Sequence, residues 1–218
     1  TAAEELGIRV FNTPQAPVLA VAELAVAFML SFSRYIPAID AKLRQEEWYR
    51  PKGNLVSGKT VGIIGCGRIG SKVAELLSGF KPVLFGYDPF LKTHPLICLT
   101  SLEEVLAKSD ILSLHLPATE ENREFMNMEK FNAMKDSALL INTSRGVIVN
   151  EEDLYQALEK RVIRGACLDV YQEEPYSGKL TSLWGKTILT SHIASSALET
   201  RQEMEKQAVE NLIRGLGE

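Results

Sequence analysis

Cysteine is scarce in this sequence: its 218 residues include three, Cys66, Cys98 and Cys167. Their number is odd, and no two of them have the close spacing of a zinc-binding pair or of a disulfide-rich framework. We therefore expect neither disulfide bonds nor a bound metal, and this cysteine usage favours a reducing, cytoplasmic setting.

The sequence also has no long block of like charge. Its 24 Lys and Arg residues and 28 Asp and Glu residues give a formal net charge of −4, and both signs are dispersed along the chain. Binding to nucleic acid or to an anionic membrane depends on massed positive charge. We therefore expect no nucleic acid and no membrane among the partners.

Long apolar runs are rare, and residues 16–32 form the one run that resembles a membrane span. Glu23 lies in its middle, and Pro17 suits the first turn of a helix. We interpret the run as a helix buried within a domain or at a subunit interface. Because the region Pro17–Tyr35 offers more apolar surface than one sheet face requires, we expect a homodimer to form through it.

Residues 60–88 contain a β-branched strand, a glycine-rich turn, an apolar helix and a second strand, in that order. The strand TVGII runs directly into GCGRIG at residues 65–70. Gly65 permits a tight turn, Gly67 permits close approach of a pyrophosphate, and Gly70 allows the helix to pack on the strand. The first turn of the helix points its unpaired N–H groups at the phosphates. The segment therefore predicts a dinucleotide site.

Asp88 ends the second strand of this unit. A carboxylate in that position can accept both hydroxyls of an adenosine ribose and would repel a 2′-phosphate, so NAD is favoured over NADP. The alternatives are a purely structural glycine turn or another nucleotide-like ligand.

The rest of the chain alternates between short apolar strands and helices, and several helices are preceded by a residue type typical of N-caps. Ser101, Asn127 and Asn150 are the predicted N-cap residues. The predicted strands cover residues 60–64, a segment ending at 88, and residues 110–115, 137–142, 165–170 and 187–190, and a closing helix covers 198–214. About six strands that alternate with helices indicate an α/β protein with a doubly wound parallel sheet of Rossmann type.

Polar and ionisable residues gather where the predicted strands end. The carboxyl ends of parallel strands meet at one edge of the sheet, where ligands bind. These ends contribute Gly65, Asp88, His115, Asn142 to Gly146, Asp169 and His192. The guanidinium of Arg145 can hold a carboxylate through two parallel hydrogen bonds. The alternative for Arg145 is an ion pair with a structural acid.

Three histidines are candidates for proton transfer. His94 precedes a proline in a predicted surface loop, which favours a solvated role, and His115 either lines the cleft or closes a strand. His192 closes the last strand, nearest to where a nicotinamide would bind, and imidazole suits proton exchange near neutral pH. Glu173 or Glu174 could orient the His192 ring, unless both are solvated loop acids.

Eight segments together resemble the D-isomer-specific 2-hydroxyacid dehydrogenases, which include D-3-phosphoglycerate dehydrogenase and the glyoxylate and hydroxypyruvate reductases. The segments are GIRVFNTP, VAE, GKTVGIIGCGRIG, GYDP, SDILSLHLPAT, LLINTSRGVIVNEEDLYQAL, RGACLDVYQEEP and SHIAS. The resemblance covers almost the whole chain, and the order of the segments is far more specific than the glycine motif alone.

The resemblance implies three catalytic residues. Arg145 would bind the carboxylate and carbonyl of the substrate, and His192 would transfer the proton. Glu174, the acid directly before proline, would pair with His192 and is thereby distinguished from Glu173. The implied reaction is hydride transfer between C2 of a D-2-hydroxy or 2-oxo acid and C4 of the nicotinamide of NAD.

The glycine motif and the resemblance together give a set of cofactor-binding residues. These are Gly65, Gly67, Arg68, Ile69, Gly70, Asp88, Pro89, His115, Pro117, Thr143, Asp169 and Ala194. The resemblance implies that Asp169 holds the nicotinamide carboxamide.

The resemblance also implies a division of the chain into three parts. Residues 1–15 are expected to be a remnant of a flavodoxin-like substrate (lid) domain, with an element at residues 7–11 as its last strand. Residues 16–196 would be the NAD-binding Rossmann domain, and 197–218 a C-terminal helix returning toward the substrate domain. Because lid closure completes such a site, we expect this chain to bind NAD but to turn over slowly or not at all.

Two functions remain open at this point. The first is an NAD-dependent dehydrogenase acting on a small acid of the phosphoglycerate, glycerate/hydroxypyruvate or glyoxylate type. The second is an NAD-binding regulatory module with little turnover, since some relatives act as transcriptional corepressors. The presence of Arg145, Glu174 and His192 together favours the enzyme.

Overall fold

Residues 2–217, which the computed structural model describes, contain one sheet of seven parallel strands. The strands are β1 (Thr60–Ile64), β2 (Val83–Tyr87), β3 (Cys98–Leu99), β4 (Ile111–Leu114), β5 (Leu139–Asn142), β6 (Gly165–Leu168) and β7 (Thr187–Leu189). Their order across the sheet is β3-β2-β1-β4-β5-β6-β7. The order changes direction between β1 and β4, and ligands bind at such a switch point in doubly wound sheets.

The same residues form eight α-helices. They are α1 (Ala2–Glu5), α2 (Val18–Ser33), α3 (Ile36–Leu43), α4 (Arg68–Leu77), α5 (Leu102–Lys108), α6 (Met128–Asn132), α7 (Glu151–Glu159) and α8 (Leu198–Leu216). Helices α2 and α4 share one hydrophobic cluster with the sheet, and α5, α6 and α7 share the other. Helices therefore cover both faces, and the predicted Rossmann-type α/β fold is confirmed.

Successive residues of β1 contribute to opposite faces of the sheet. Ile63 packs in the cluster that contains Phe28 of α2 and Val73 of α4. Ile64 packs in the cluster that contains Leu154 of α7. Strands β4, β5 and β6 are buried at every position. Strands covered on both faces read as continuous apolar runs, as these do.

The three predicted N-cap residues are confirmed, because each side-chain oxygen accepts the backbone N–H three residues later. The pairs are Ser101 with Glu104, Asn127 with Lys130 and Asn150 with Asp153, at 3.0 to 3.3 Å. Capping satisfies N–H groups that have no partner within the helix. The Asn150 cap also matters for the edge of the sheet where ligands bind, because α7, which it caps, follows the turn that contains Arg145.

The apolar run near the start of the chain forms a largely buried helix that packs against α4. The helix ends at Ser33, and the chain turns at Tyr35, whose φ is 56°, before α3 begins. No single helix among the described residues is long and apolar enough to cross a membrane, although α2 and α3 together, bent by 60°, reach the required length and composition.

Two features differ from the prediction. Strand β3 was not predicted, because an edge strand of two residues is too short to show an apolar period. The element expected at residues 7–11 is not a strand: residues 8–13 form no regular secondary structure, and Gly7 has a φ of 67°. A strand needs a neighbour for its backbone hydrogen bonds, whereas Phe11 packs its ring on Gly215 of α8.

Candidate active site

A cleft of about 730 Å³ lies along the carboxyl edge of the sheet, at the switch point between β1 and β4. Four turns contribute to it, and each follows a strand. The lining residues include Gly67, Arg68 and Ile69 after β1, His115, Leu116 and Pro117 after β4, Thr143, Ser144 and Arg145 after β5, and His192, Ala194 and Ser195 after β7. The structure therefore brings most of the predicted cofactor residues and two of the three catalytic candidates into one cleft.

The glycine turn after β1 has room for a ligand at one glycine and no room for a side chain at the two others. Gly65 has a φ of 88°, and a Cβ there would lie 2.6 Å from the carbonyl oxygen of His115. A Cβ on Gly70 would overlap the carbonyl of Gly65. No atom lies within 4 Å of a Cβ on Gly67, where α4 begins without a side-chain cap. This open, donor-rich position fits a pyrophosphate.

Asp88 lies beside the glycine turn rather than in the lining of the cleft. Its Oδ2 accepts the N–H of Cys66 at 2.9 Å, and its Oδ1 accepts the N–H of Phe90 at 2.9 Å. Each carboxylate oxygen has a second lone pair and can still accept a hydroxyl. Pro89 follows on the exposed side of the loop. Asp88 therefore fixes the glycine turn and remains available to a ribose.

Two buried polar atoms at the switch point have no partner among the described residues. They are Nδ1 of His115 and Oγ1 of Thr143. The two residues are neighbours across the sheet, because each directly follows the paired residues Leu114 and Asn142. Buried polar groups are nearly always hydrogen-bonded, so orphaned atoms beside a cleft indicate a missing polar partner. This pair fits a polar cofactor that lies across β4 and β5.

The three histidines have different environments. Burial lowers the pKa of His115 to about 4, so its ring is neutral at pH 7. Its Nε2 lies 2.9 Å from Oγ of Ser113. His94 is hydrogen-bonded through both ring nitrogens, so the solvated role predicted for it is wrong. His192 is half-exposed in the cleft, and it is the histidine suited to exchange protons with a ligand.

His192 and Glu174 form a hydrogen-bonded pair across two loops. Nδ1 of His192 donates to Oε2 of Glu174 at 2.7 Å, and Oε1 of Glu174 accepts the N–H of Tyr171 at 3.1 Å. Partial burial opposes ionisation of Glu174, but the hydrogen bonds from His192 and Tyr171, with the charges of His192 and Arg145, outweigh it and lower the pKa. The geometry therefore distinguishes Glu174 from Glu173 and leaves Nε2 of His192 free for a ligand.

Asp169 lies beneath the turn that contains His192 and is fully buried. Its Oδ1 accepts the hydroxyl of Thr190 at 2.5 Å and the N–H of Ile193 at 2.8 Å, and its Oδ2 accepts the N–H of Ala194 at 2.8 Å. Its carbonyl accepts the N–H of His192, whose φ is 55°. The observed partners of Asp169 are thus protein groups, and its expected contact with a carboxamide stays a prediction.

Arg145 projects from the turn after β5 and lines the same cleft as His192. Its Nη1 donates to the carbonyl of Ser144 at 2.6 Å, and no acidic side chain among the described residues forms an ion pair with it. The structural ion pair considered as an alternative is therefore not observed there. The guanidinium keeps donors for a carboxylate ligand.

Two residues shape the Arg145 turn in ways that sequence reasoning did not identify. Asn142 is fully buried, donates to the carbonyl of Arg145 at 2.9 Å and accepts the N–H of Ser144 at 3.0 Å. A Cβ on Gly146 would overlap the backbone of Tyr171. The signal available in the sequence was a buried amide closing an apolar strand, with a glycine four residues later.

Residues 26–194 match the family model described as D-isomer specific 2-hydroxyacid dehydrogenase, NAD binding domain. The chain is 36% identical to the hydroxypyruvate reductase of Thermotoga maritima, over 99% of the chain and 72% of that protein. It is 38% identical to the glyoxylate reductase of Thermofilum pendens, over 97% of the chain and 66% of that protein.

A solved structure is similar over the whole described fold. The D-lactate dehydrogenase of Aquifex aeolicus, complexed with NAD and lactic acid, matches with a TM-score of 0.90 and 28% identity, over 99% of the chain and 72% of that structure. The chain spans between 39% and 72% of the length of eight curated relatives that it matches.

Replacement of Gly146 by alanine tests the contact between the two catalytic loops. Because the new methyl group overlaps the backbone of Tyr171, we expect Gly146→Ala to lower the free energy of unfolding by about 2 kcal/mol in urea denaturation. Gly79→Ala is the matched control, since no atom lies within 4 Å of a Cβ there. Equal stability of the two variants would contradict the close approach of the Arg145 turn to the loop before Glu174.

Proposed function

Because the chain belongs to the D-isomer specific 2-hydroxyacid dehydrogenase family, whose NAD-binding domain it contains, we propose that it supplies the cofactor site and the catalytic residues of an oxidoreductase. The enzyme transfers a hydride between NAD(H) and a D-2-hydroxy acid or 2-oxo acid. The substrate is of the phosphoglycerate, glycerate/hydroxypyruvate or glyoxylate type. The observation that carries the proposal is the His192–Glu174 hydrogen bond of 2.7 Å beside a cleft that also contains Arg145 and the glycine turn.

The cofactor is assigned to the cleft along the carboxyl edge of the sheet. The glycine turn and the start of α4 hold the pyrophosphate through Gly65, Gly67, Arg68, Ile69 and Gly70. Asp88 and Pro89 contact the adenosine ribose, and His115, Pro117, Thr143, Asp169 and Ala194 contact the nicotinamide half. The open position at Gly67 and the orphaned atoms of His115 and Thr143 support this assignment. When bound, NAD gives or takes the hydride at C4 of its nicotinamide.

Arg145 binds the carboxylate of the substrate and polarises its 2-oxo group. Two parallel hydrogen bonds from a guanidinium fix a carboxylate in one plane, so C2 is presented in one orientation. The positive charge also stabilises negative charge that develops on the carbonyl oxygen as C2 receives the hydride. The absence of an acidic partner for Arg145 among residues 2–217 supports this role.

His192 exchanges the proton of the hydroxyl group through Nε2. In the direction of reduction, C2 gains a hydride, the carbonyl oxygen gains the proton of Nε2, and His192 becomes neutral. Glu174 accepts the Nδ1 hydrogen throughout, which holds the ring orientation and stabilises the protonated ring. Asp169 positions His192 by binding the turn around it.

The test of this function separates an enzyme from an NAD-binding regulatory module. NADH fluorescence titration comes first, followed by NADH oxidation at stoichiometric protein with glyoxylate, hydroxypyruvate and phosphohydroxypyruvate. The enzyme predicts NADH binding by the chain and, when a substrate (lid) domain is joined to it, NADH oxidation that Arg145→Met abolishes while NADH binding persists. Tight NADH binding without oxidation of NADH by any of the three acids, even with that lid domain present, would favour the regulatory module. No NADH binding would overturn both functions.

We further propose a homodimer formed through the Pro17–Tyr35 region. The support is apolar surface left uncovered in this region and directly after it: Leu19 is 49% exposed, and Ile36, Leu43 and Trp48, which follow the region, are between 53% and 82% exposed. Uncovered apolar patches mark interaction surfaces. Light scattering that gives the mass of a monomer at high concentration would contradict this.

The amino-acid composition supports the remaining proposals, which concern the partners of the chain and its cellular compartment. The dispersed charge and net charge of −4 support a small-molecule acid rather than nucleic acid or a membrane surface as partner. The three free cysteines, two of them buried, support a cytoplasmic setting.

Replacement of Asp88 by serine tests the choice of cofactor. The substitution removes the charge that repels a 2′-phosphate, so we expect the ratio of NADPH to NADH affinity to rise by about tenfold or more in fluorescence titrations. Asp136→Ser removes an exposed carboxylate elsewhere and should leave the ratio unchanged. An unchanged ratio in Asp88→Ser would show that another residue selects NAD.

Replacement of Glu174 by glutamine tests the catalytic pair. Because the neutral amide no longer stabilises the protonated ring of His192, we expect kcat for 2-oxo acid reduction to fall by about ten- to a hundredfold. Glu173→Gln, at the adjacent exposed position, is the control for steady-state kinetics. Similar kinetics for both variants would remove Glu174 from the mechanism.

A further inference from the structure

His94 lies in the loop between β2 and β3 and uses both nitrogens of its ring. Nδ1 accepts the N–H groups of Leu96 and Ile97, each at 3.1 Å. Since a backbone N–H can only donate, Nδ1 must be the unprotonated nitrogen. The ring is therefore the neutral tautomer that has its hydrogen on Nε2.

Nε2 of His94 reaches the helix of the glycine turn. It lies 2.9 Å from Oγ of Ser71 in α4, and that hydroxyl lies 3.0 Å from the carbonyl oxygen of Cys66. The carbonyl can only accept, so the hydroxyl hydrogen points to Cys66 and the hydroxyl oxygen accepts the hydrogen of Nε2. Every donor and acceptor in this chain of bonds is used when the ring is neutral.

This chain of hydrogen bonds leads to the backbone of Cys66, the residue between Gly65 and Gly67. The N–H of Cys66 donates to Oδ2 of Asp88 at 2.9 Å, and Asp88 begins the loop that contains His94. His94 thus connects the segment assigned to the pyrophosphate with the segment assigned to the adenosine ribose. His94 would not touch the pyrophosphate or the ribose directly, because His94 itself is absent from the lining of the cleft.

We propose that His94 is a positioning residue for the adenosine half of NAD, and that it does so only while its ring is neutral. Protonation places a hydrogen on Nδ1 against two N–H groups, and both of those hydrogen bonds are lost. The N–H of Ile97, a residue 3% exposed, then lacks a partner. A hydrogen on Nδ1 would face two N–H groups whose nitrogens lie 3.1 Å away, so the protonated ring has to turn away, and Nε2 then leaves Ser71 of α4 as well. The loop separates from α4, the position of Asp88 relative to the glycine turn changes, and NAD(H) binds more weakly in acid. The inference rests on the proposed cofactor site.

Other ionisable groups on the two segments do not reproduce this behaviour. Lys72 of α4 pairs with Glu75 at 2.6 Å, and Arg68 and Lys92 are the other cationic side chains on the two segments. Burial, and then the charge of Asp88, raise the pKa of the Cys66 thiol to about 12, so it stays neutral. Carboxyl groups ordinarily titrate below about pH 5. Histidine is the side chain that changes charge between about pH 5 and pH 8.

The experiment measures the dissociation constant of NADH by fluorescence from about pH 8 to about pH 5, the range in which histidine titrates. We expect the wild-type constant to rise by about fivefold as pH falls, the effect of losing hydrogen bonds of ordinary strength. His94→Asn keeps an oxygen for the two N–H groups but cannot titrate. Its affinity should be nearly independent of pH, and His94→Gln serves as a second variant if the first is unstable.

Two further measurements make the result specific. His192→Asn removes the half-exposed imidazole of the cleft and should retain the pH dependence. Nitrogen-15 NMR of the histidine rings should show the tautomer of His94 with its hydrogen on Nε2. The same pH dependence in wild type and His94→Asn, or the opposite tautomer, would overturn the inference while leaving the proposed function intact. No NADH binding by the wild type at any pH would overturn both.

Discussion

The turn after β7 depends on one buried carboxylate. Asp169 is fully buried and accepts hydrogen bonds from Thr190, Ile193 and Ala194 on its two oxygens, while its carbonyl accepts the N–H of His192. A carboxylate without such donors would be very costly to bury. The turn and the carboxylate therefore stabilise each other, and the left-handed backbone of His192 is held where Nδ1 meets Glu174.

A second constraint is backbone contact between loops that follow neighbouring strands. Gly146 lies so close to Tyr171 that no side chain fits, which brings the Arg145 turn against the loop before Glu174. At the switch point itself, Gly65 after β1 approaches the carbonyl of His115 after β4 in the same way. The catalytic part of the site and its cofactor-binding part are thus joined by backbone contacts at the ends of adjacent strands. Small displacements of reacting groups are costly in rate, which explains why glycines occupy these contacts.

Local signals in the sequence predicted much of this architecture. The caps at Ser101, Asn127 and Asn150, the glycine turn and six of the seven strands follow from patterns within a few residues. The pairing of His192 with Glu174 came from the family resemblance. The bonds of Asp169, the overlap at Gly146 and the network of His94 join segments far apart along the chain, and a prolyl loop by itself indicates only solvent exposure for His94. Such contacts require the fold to be known first.

The most direct test of this account is hydrogen exchange at the backbone of the His192 turn. If the Asp169 carboxylate holds the turn, the amides of Ile193 and Ala194 are protected in the wild type. In Asp169→Asn they should exchange at least about tenfold faster, while the amide of Ile141 in β5 is unchanged. Rapid exchange at Ile193 and Ala194 in the wild type, or equal protection in both proteins, would contradict it.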